Sequence, residues 1–453
     1  MLRLLAALGI AVTATLVSST PGAVGGQPQI PSRLDARFGI AESLASPSAM
    51  AEIGGGWTRV LLAWHHIQSS NPYDYWGFGR VLREPILDAE VGRGVRAAAV
   101  LQYTPQWAAT NPSHGHRAVP RNLFLTYDDP ENYFGQFVYQ TVLRYAGRID
   151  EWIIWNEPDI RPSDPGVGES YTWMGTEHEL AQLLKVGYLA AKRANPRAVV
   201  SFPATSYWAD AVNGRTQYYE RVLGLLSEDP EARANNWYHD AVSVNLYRKP
   251  DDVFRVHGIF KDIQWRHGID RPVWLTETNA MPSDDTSVLC WERHAREPWQ
   301  TTQQEQAAFA VQTFALAAAA GYEHVAWWRM LDGRPCIQDR LWGAVRDDGT
   351  SRPAAAALKT AVRYFSGFVA AQFTTDGQVR KVVLDRPNGQ RVTVLWNSAP
   401  TATTVPIEPG SVVDMFGAEQ GVGASVELAG ATAFYDGDYY IGGSPKIHVS
   451  RDG

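Results

Sequence analysis

From Arg37 onward the spacing of apolar positions switches repeatedly between two periods. Short apolar runs read as strands at Arg37–Ala41, Thr58–Ala63, Arg96–Gln102, Asp150–Trp155, Ala198–Pro203, Ala241–Leu246, Pro272–Thr276 and His324–Trp328. Between and after them, helical spacing covers Asn132–Tyr145, His178–Ala194, Tyr218–Leu226, Thr302–Ala320 and Pro353–Phe365. Eight strands alternating with helices predict an α/β fold, a (β/α)8 barrel. The segments that follow strands three, four and seven (Tyr103–Asp129, Pro158–Thr176 and Thr278–Trp299) are long and rich in Pro, Gly, Asn, Asp and aromatics. In a barrel such loops gather on one face, at the C-terminal ends of the strands.

The pattern changes after Ser366. Val379–Leu384, Arg391–Leu395, Thr403–Ile407, Ser411–Met415 and Ala431–Tyr435 read as short strands parted by turn residues, with no helical period beyond them. A small all-β, sandwich-like domain is expected over residues 367–453, behind a barrel over residues 27–366. Met1 to Gly26 reads differently again. Arg3 supplies a positive start, Leu4–Val17 an apolar centre and Ser18–Gly26 a small-residue cleavage region, the layout of a secretory signal. The apolar run of about 14 residues falls short of the roughly 20 that span a bilayer. The protein is expected outside the cell, with no membrane association once the signal is removed.

Composition narrows the classes further. The 453 residues exceed a plain barrel of roughly 250, which leaves room for the second domain. A net charge of −7 and a pI near 5.9 provide no basic footprint for nucleic acid. Most of the seventeen tryptophans are expected to pack in the core, and the flat apolar faces of the others suit sugar rings. The two cysteines, Cys290 and Cys336, follow strands seven and eight, which are neighbours in a barrel, so one disulfide is expected. No metal is expected. Zinc-type cysteine spacing is absent, His65 and His66 would face opposite ways on a strand, and His114 and His116 sit in a polar turn.

Two strand ends carry the candidate chemistry. The run Arg148-Ile-Asp-Glu-Trp-Ile-Ile-Trp-Asn-Glu-Pro158 places Asn156 and Glu157 where an apolar strand stops, and Arg271-Pro-Val-Trp-Leu-Thr276 is followed by Glu277. A lone glutamate behind a strand is ordinarily a solvated loop acid. Two of them on the catalytic rim of one barrel are what retaining glycoside hydrolysis requires, one giving a proton and one attacking the anomeric carbon.

The segments Trp57-Thr-Arg-Val60, Tyr103-Thr-Pro-Gln-Trp107, Trp155-Asn-Glu-Pro158, Asp240-Ala-Val-Ser-Val-Asn-Leu-Tyr247, Leu275-Thr-Glu-Thr278 and Val325-Ala-Trp-Trp328 follow one another as in clan A glycoside hydrolases. Within that clan the chain is most similar to family 39, the β-xylosidases and α-iduronidases, with family 5 next. The resemblance covers Arg37 to Phe365. It implies a retaining glycosidase with Glu157 as general acid/base and Glu277 as nucleophile, an oligo- or polysaccharide substrate and no cofactor. Asn156 is then the partner of the sugar 2-hydroxyl, Arg59 a cation beside Glu277, and Tyr247 a hydroxyl donor to the same carboxylate. Trp107 and one of Trp327 and Trp328 are candidate sugar platforms, with Trp327 favoured. The chain departs from the clan at Asn245, where a histidine is common two residues before the tyrosine. Loops walling off a pocket favour an exo mode over an endo mode. The sugar, the linkage and the oligomeric state are not legible.

Overall fold

The computed structural model describes residues 34–75, 77–164, 168, 170–288, 299–333, 341–421 and 423–451. Residues 1–26, expected to be a secretory signal, and both cysteines lie outside the described residues.

Eight parallel strands close a barrel: β1 (Phe38–Ile40), β2 (Trp57–Ala63), β3 (Arg96–Gln102), β4 (Glu151–Ile154), β5 (Val199–Thr205), β6 (Ala241–Tyr247), β7 (Val273–Asn279) and β8 (His324–Trp327). A helix follows each in turn: α1 (Pro47–Ile53), α2 (Glu84–Gly92), α3 (Tyr133–Tyr145), α4 (Glu177–Ala194), α5 (Tyr218–Leu226), α6 (Pro250–Arg266), α7 (Gln303–Ala320) and α8 (Pro353–Phe365). The strands are apolar throughout because helices cover them outside and side chains fill the barrel inside. Ala98, Val100, Ile153, Ala241, Trp57, Trp274 and Ala326 supply that filling. Near the strand starts Glu151 is enclosed, accepting from Trp57 Nε1 at 2.7 Å and pairing with Arg96. Side chains therefore close the barrel interior at the strand starts.

Helices α4 and α7 start on capping boxes, Thr176 with Glu179 and Thr302 with Glu305. Helix α7 is apolar on nearly every side, which fits a helix buried from both directions. One side meets the barrel, and on the other the Gln312 amide donates to the carbonyls of Gly442 and Gly443.

Those glycines belong to a separate antiparallel region whose main sheet has six strands. Their order is Glu419–Gln420, Ser411–Asp414, Lys446–Arg451, Gln390–Asn397, Val379–Asp385 and Ala370–Asp376. Lys446–Arg451, in the middle of the sheet, and Ala370–Asp376, at its edge, are strands the pattern analysis did not identify. Ala431–Tyr435 contributes only Phe434–Tyr435, paired with Asp438–Tyr439 across an Asp436-Gly437 turn with positive φ at both positions.

Candidate active site

Strand β4 ends at Ile154, and the chain then passes through two left-handed residues, Trp155 (φ 73°) and Glu157 (φ 49°), on either side of Asn156. Such backbone is costly for residues with side chains and persists only when the surroundings hold it. Here they do. Glu157 N–H donates to Ala204 on β5 at 2.6 Å, Thr172 Oγ1 donates to the Asn156 carbonyl at 2.5 Å, and the Trp155 indole N–H meets Thr172 at 3.3 Å. Asn156 and Glu157 are thereby fixed at the mouth of the barrel.

Strands β6 and β7 reach the same mouth through a bulge. Val244 pairs with Leu275, yet the next residue, Asn245, pairs with Glu277, so Thr276 is extra. A bulge re-aims side chains at a strand end. This one sets Asn245 opposite Glu277 and leaves the Thr276 hydroxyl to donate to the Asn245 side-chain oxygen Oδ1 at 2.8 Å. Glu277 lies inside β7 rather than beyond its end, and it is almost wholly buried.

The side chains form one linked set. Arg59 on β2 pairs with Glu277 Oε1 at 2.8 Å and donates to Asn156 Oδ1 at 3.0 Å. Tyr247 donates its hydroxyl to Glu277 Oε2 at 2.5 Å. Asn245 Nδ2 reaches both Asn156 Oδ1 at 3.2 Å and Glu157 Oε1 at 3.0 Å. Asn156 Oδ1 thus accepts twice, which leaves its amide nitrogen as the group able to meet a ligand hydroxyl.

The two acids differ in surroundings. Glu277 has a guanidinium and a phenol on its two oxygens. Burial pushes the Glu157 carboxyl up to about 8, and the neighbouring charge of Glu277 adds to that, against the opposing Asn245 hydrogen bond. Burial and the Glu277 charge also raise the Tyr247 phenol well above its ordinary range. Near neutral pH the set therefore holds a protonated acid beside a paired carboxylate, the combination that can protonate one side of a bond and attack the other.

A cavity of about 640 Å³ opens over the ends of β1, β2, β3 and β8, and neither acid is among its lining residues. Glu42, His65, His66, Tyr103, Trp328 and Arg329 are among its lining residues. Trp328 covers the Arg59 guanidinium at 5.1 Å, so this ring belongs to the site. Trp327 does not. It is fully buried and packs edge-on against Phe309 of α7, so the preference for Trp327 is corrected. The strand stops at Trp327, and the residue after it, not the one on its outward face, turns into the mouth.

Trp107 also lies away from the cavity. Its ring packs against Trp64 and Tyr133, and its indole N–H donates to the Gln68 carbonyl at 2.8 Å. Tyr103, four residues earlier and left-handed at φ 74°, lines the cavity instead. His65 and His66 are not on a strand. They sit in a single helical turn, Trp64–Ile67, so both rings line the cavity, 3.9 Å apart between centroids. Among the described residues no group of three His, Cys, Asp or Glu side chains is placed to hold a metal ion. Tyr103 opens the segment that ends at Trp107, so a motif does mark it, whereas Glu42 and Arg329 carry none that singles them out. Only their positions at strand ends could have drawn attention to them.

No family model matches the chain, and no curated protein does. Solved structures do. A family 39 glycoside hydrolase from the gut symbiont Bacteroides cellulosilyticus WH2 superposes with a TM-score of 0.63 at 16% identity, over 93% of this chain and 83% of that one. A monomeric β-xylosidase from Caulobacter crescentus CB15 gives 0.56 at 14%, over 94% and 98%. A family 30 endoxylanase from Clostridium papyrosolvens C71 gives 0.56 at 13%, over 95% and 98%. At these identities the likeness is one of fold: a closed parallel barrel followed by an antiparallel β region, similar to clan A glycoside hydrolases.

Proposed function

We propose that the protein is a secreted retaining glycoside hydrolase that cuts β-linked, or equivalently equatorial, bonds and releases the terminal sugar of an oligo- or polysaccharide. One observation carries the reading: two neighbouring carboxyl groups with opposite surroundings, Glu277 against Arg59 and Tyr247, Glu157 pushed up to about 8.

In the first step the Glu277 carboxylate attacks the anomeric carbon while Glu157 gives its proton to the departing oxygen. The glycosidic C–O bond breaks and a glycosyl ester forms on Glu277. Forming the ester removes the Glu277 charge, one of the causes that hold the Glu157 carboxyl high, so the Glu157 carboxyl becomes more acidic as its role reverses. As a carboxylate it takes a proton from water. The water attacks the same carbon, and Glu277 leaves ionised with the anomeric configuration retained. The Asn156 amide donates to the sugar 2-hydroxyl, a bond that strengthens as positive charge develops on the ring.

The cavity over the ends of β1, β2, β3 and β8 supports an exo mode. A β-xylosidase and an endoxylanase share this fold, so product length is the deciding measurement. The export segment 1–26 supports a secreted location, which N-terminal sequencing of protein recovered from culture medium tests.

The test is a panel of aryl α- and β-glycosides with Glu277→Ala as control. Release from one glycoside, lost in the variant, is the expected result and names the sugar. Full activity in Glu277→Ala would overturn the mechanism. Glu157→Ala is expected to spare substrates whose leaving groups need little protonation; equal loss on good and poor leaving groups would remove its acid role. A ladder of oligomers from a polymer would reassign the enzyme to an endo mode.

A further inference from the structure

Two residues of the cavity wall have no part in the double displacement, yet both are held in place. Glu42 follows β1 in a left-handed conformation (φ 57°), a strained choice for a residue with a side chain. Its backbone N–H donates to the Arg59 carbonyl at 2.8 Å, and its Oε1 accepts from Leu61 N–H at 3.1 Å. The next residue is anchored as well, Ser43 Oγ donating to Thr58 Oγ1 at 2.8 Å. One carboxyl oxygen is thereby fixed to β2, and the side chain lines the cavity.

Arg329 stands on the neighbouring side, directly after Trp328. Its backbone is fastened at both ends, N–H to the Trp342 carbonyl at 3.1 Å and carbonyl to Ala344 N–H at 2.9 Å. Its guanidinium lies 5.6 Å from the Trp328 ring, and its Nε is buried without a hydrogen-bond partner among the described residues. The Glu42 carboxyl feels the charges of Arg59, Arg329 and Glu277. The two side chains are thus near neighbours, one an acceptor and one a rigid multiple donor, beside the Trp328 ring that also covers Arg59.

We propose that Glu42 and Arg329 form a clamp for hydroxyl groups on the edge of the sugar remote from the anomeric carbon, and so select which sugar is cut. This rests on the glycosidase reading above. The acids occupy the anomeric carbon and Asn156 the 2-hydroxyl. A ring laid on Trp328 then carries its 3-, 4- or hydroxymethyl oxygen into the cavity, where Glu42 accepts and Arg329 donates. A half-buried acceptor and donor that lose a hydroxyl partner inside an occupied cavity are penalised, which is how such a site discriminates. The pair fits a neutral sugar with hydroxyl groups at that edge, because carboxyl and guanidinium offset one another.

The experiment compares wild type, Glu42→Ala, Glu42→Gln and Arg329→Lys on two probes. One is the aryl glycoside that wild type turns over, with its 3-, 4- and 6-deoxy analogues. The other is calorimetric binding of the matching cyclic-amine sugar mimic and its deoxy forms, which needs no turnover. In wild type one deoxy analogue is expected to lose about 10- to 100-fold in kcat/KM and affinity. In Glu42→Ala the parent falls to that level and the same analogue falls no further, while Glu42→Gln and Arg329→Lys fall between. Uniform loss on the parent and every analogue, or unchanged discrimination, would overturn the clamp and leave the glycosidase reading standing. Wild type that neither cleaves nor binds any probe would overturn both.

Discussion

Asn245 and Glu157 are joined by a 3.0 Å hydrogen bond in which the amide nitrogen donates to Oε1 of the acid. The position is the one where the chain departs from the clan it resembles, and an amide side chain does not titrate. The donated bond opposes the burial that pushes the Glu157 carboxyl up. Asn245→Ala is therefore expected to move the alkaline limb of the kcat/KM profile to higher pH. The same change frees Asn156 and Glu157 together and should lower kcat/KM by about 10- to 100-fold. An unchanged pH profile would reduce Asn245 to a packing residue.

Glu157 also makes stability depend on pH. Its carboxyl sits at about 8 in the fold, and an unfolded chain places it at about 4.3. Between those values the folded form holds a proton that the unfolded form has released, so the contribution to stability falls as pH rises through the window. Below it the two forms are equally protonated and the contribution vanishes. Glu157→Gln removes the penalty. It should stabilise the protein by about 0.5–2 kcal/mol at pH 8 and by little at pH 4, read as melting temperatures at both. Equal shifts at both pH values would point to packing, not charge.

Much of this arrangement is legible from pattern alone. Strand runs such as Arg96–Gln102 are apolar because both faces of a barrel strand are buried, and the observed β3 has those bounds. The helix after Thr302 is legible from its helical spacing and its alanines. What pattern does not carry is the geometry at strand ends. The bulge at Asn245 and Glu277 and the left-handed residues at Tyr103, Trp155 and Glu157 depend on bonds between strands distant in sequence. Alternation therefore fails where the strand stops: it does not choose between Trp327 and Trp328, and it wrongly sets His65 and His66 on opposite faces. Lys446–Arg451 is a middle strand whose neighbours, Gln390–Asn397 and Ser411–Asp414, come from earlier in the chain, so no local hairpin signal marks it.

The two adjacent tryptophans separate stability from catalysis. Trp327 is fully buried against Phe309, so Trp327→Ala should cost about 3–5 kcal/mol of stability, seen in denaturant unfolding. Trp328 is half-buried at the cavity, over Arg59. Trp328→Ala should leave most of that stability and instead lower kcat/KM, chiefly through KM, as a ring-stacking platform is lost. The reverse pattern, activity lost at Trp327 in a stable protein, would return the platform to the strand.

Arg352 ties the loops behind the site to α8. It is fully buried, donating from Nε to Asp285 Oδ2 at 2.7 Å and from its two terminal nitrogens to Asp332 at 2.5 and 2.7 Å. Asp285 follows β7, and Asp332 follows β8 just beyond Trp328 and Arg329. Arg352→Met is expected to cost about 3–5 kcal/mol near neutral pH, since two buried carboxylates lose their shared cation. Burial alone would raise the Asp285 carboxyl, but hydrogen bonds from Arg346 and Ser287 and the Arg352 cation bring it to about 2. A carboxyl depressed in the fold stabilises above its unfolded value of about 3.9 and loses that contribution as pH falls through about 2. The gap between wild type and Arg352→Met should therefore be widest near pH 6 and narrow toward pH 2, measured by denaturant unfolding across that range. A gap of constant width would mean that Arg352 acts through its volume and not its charge.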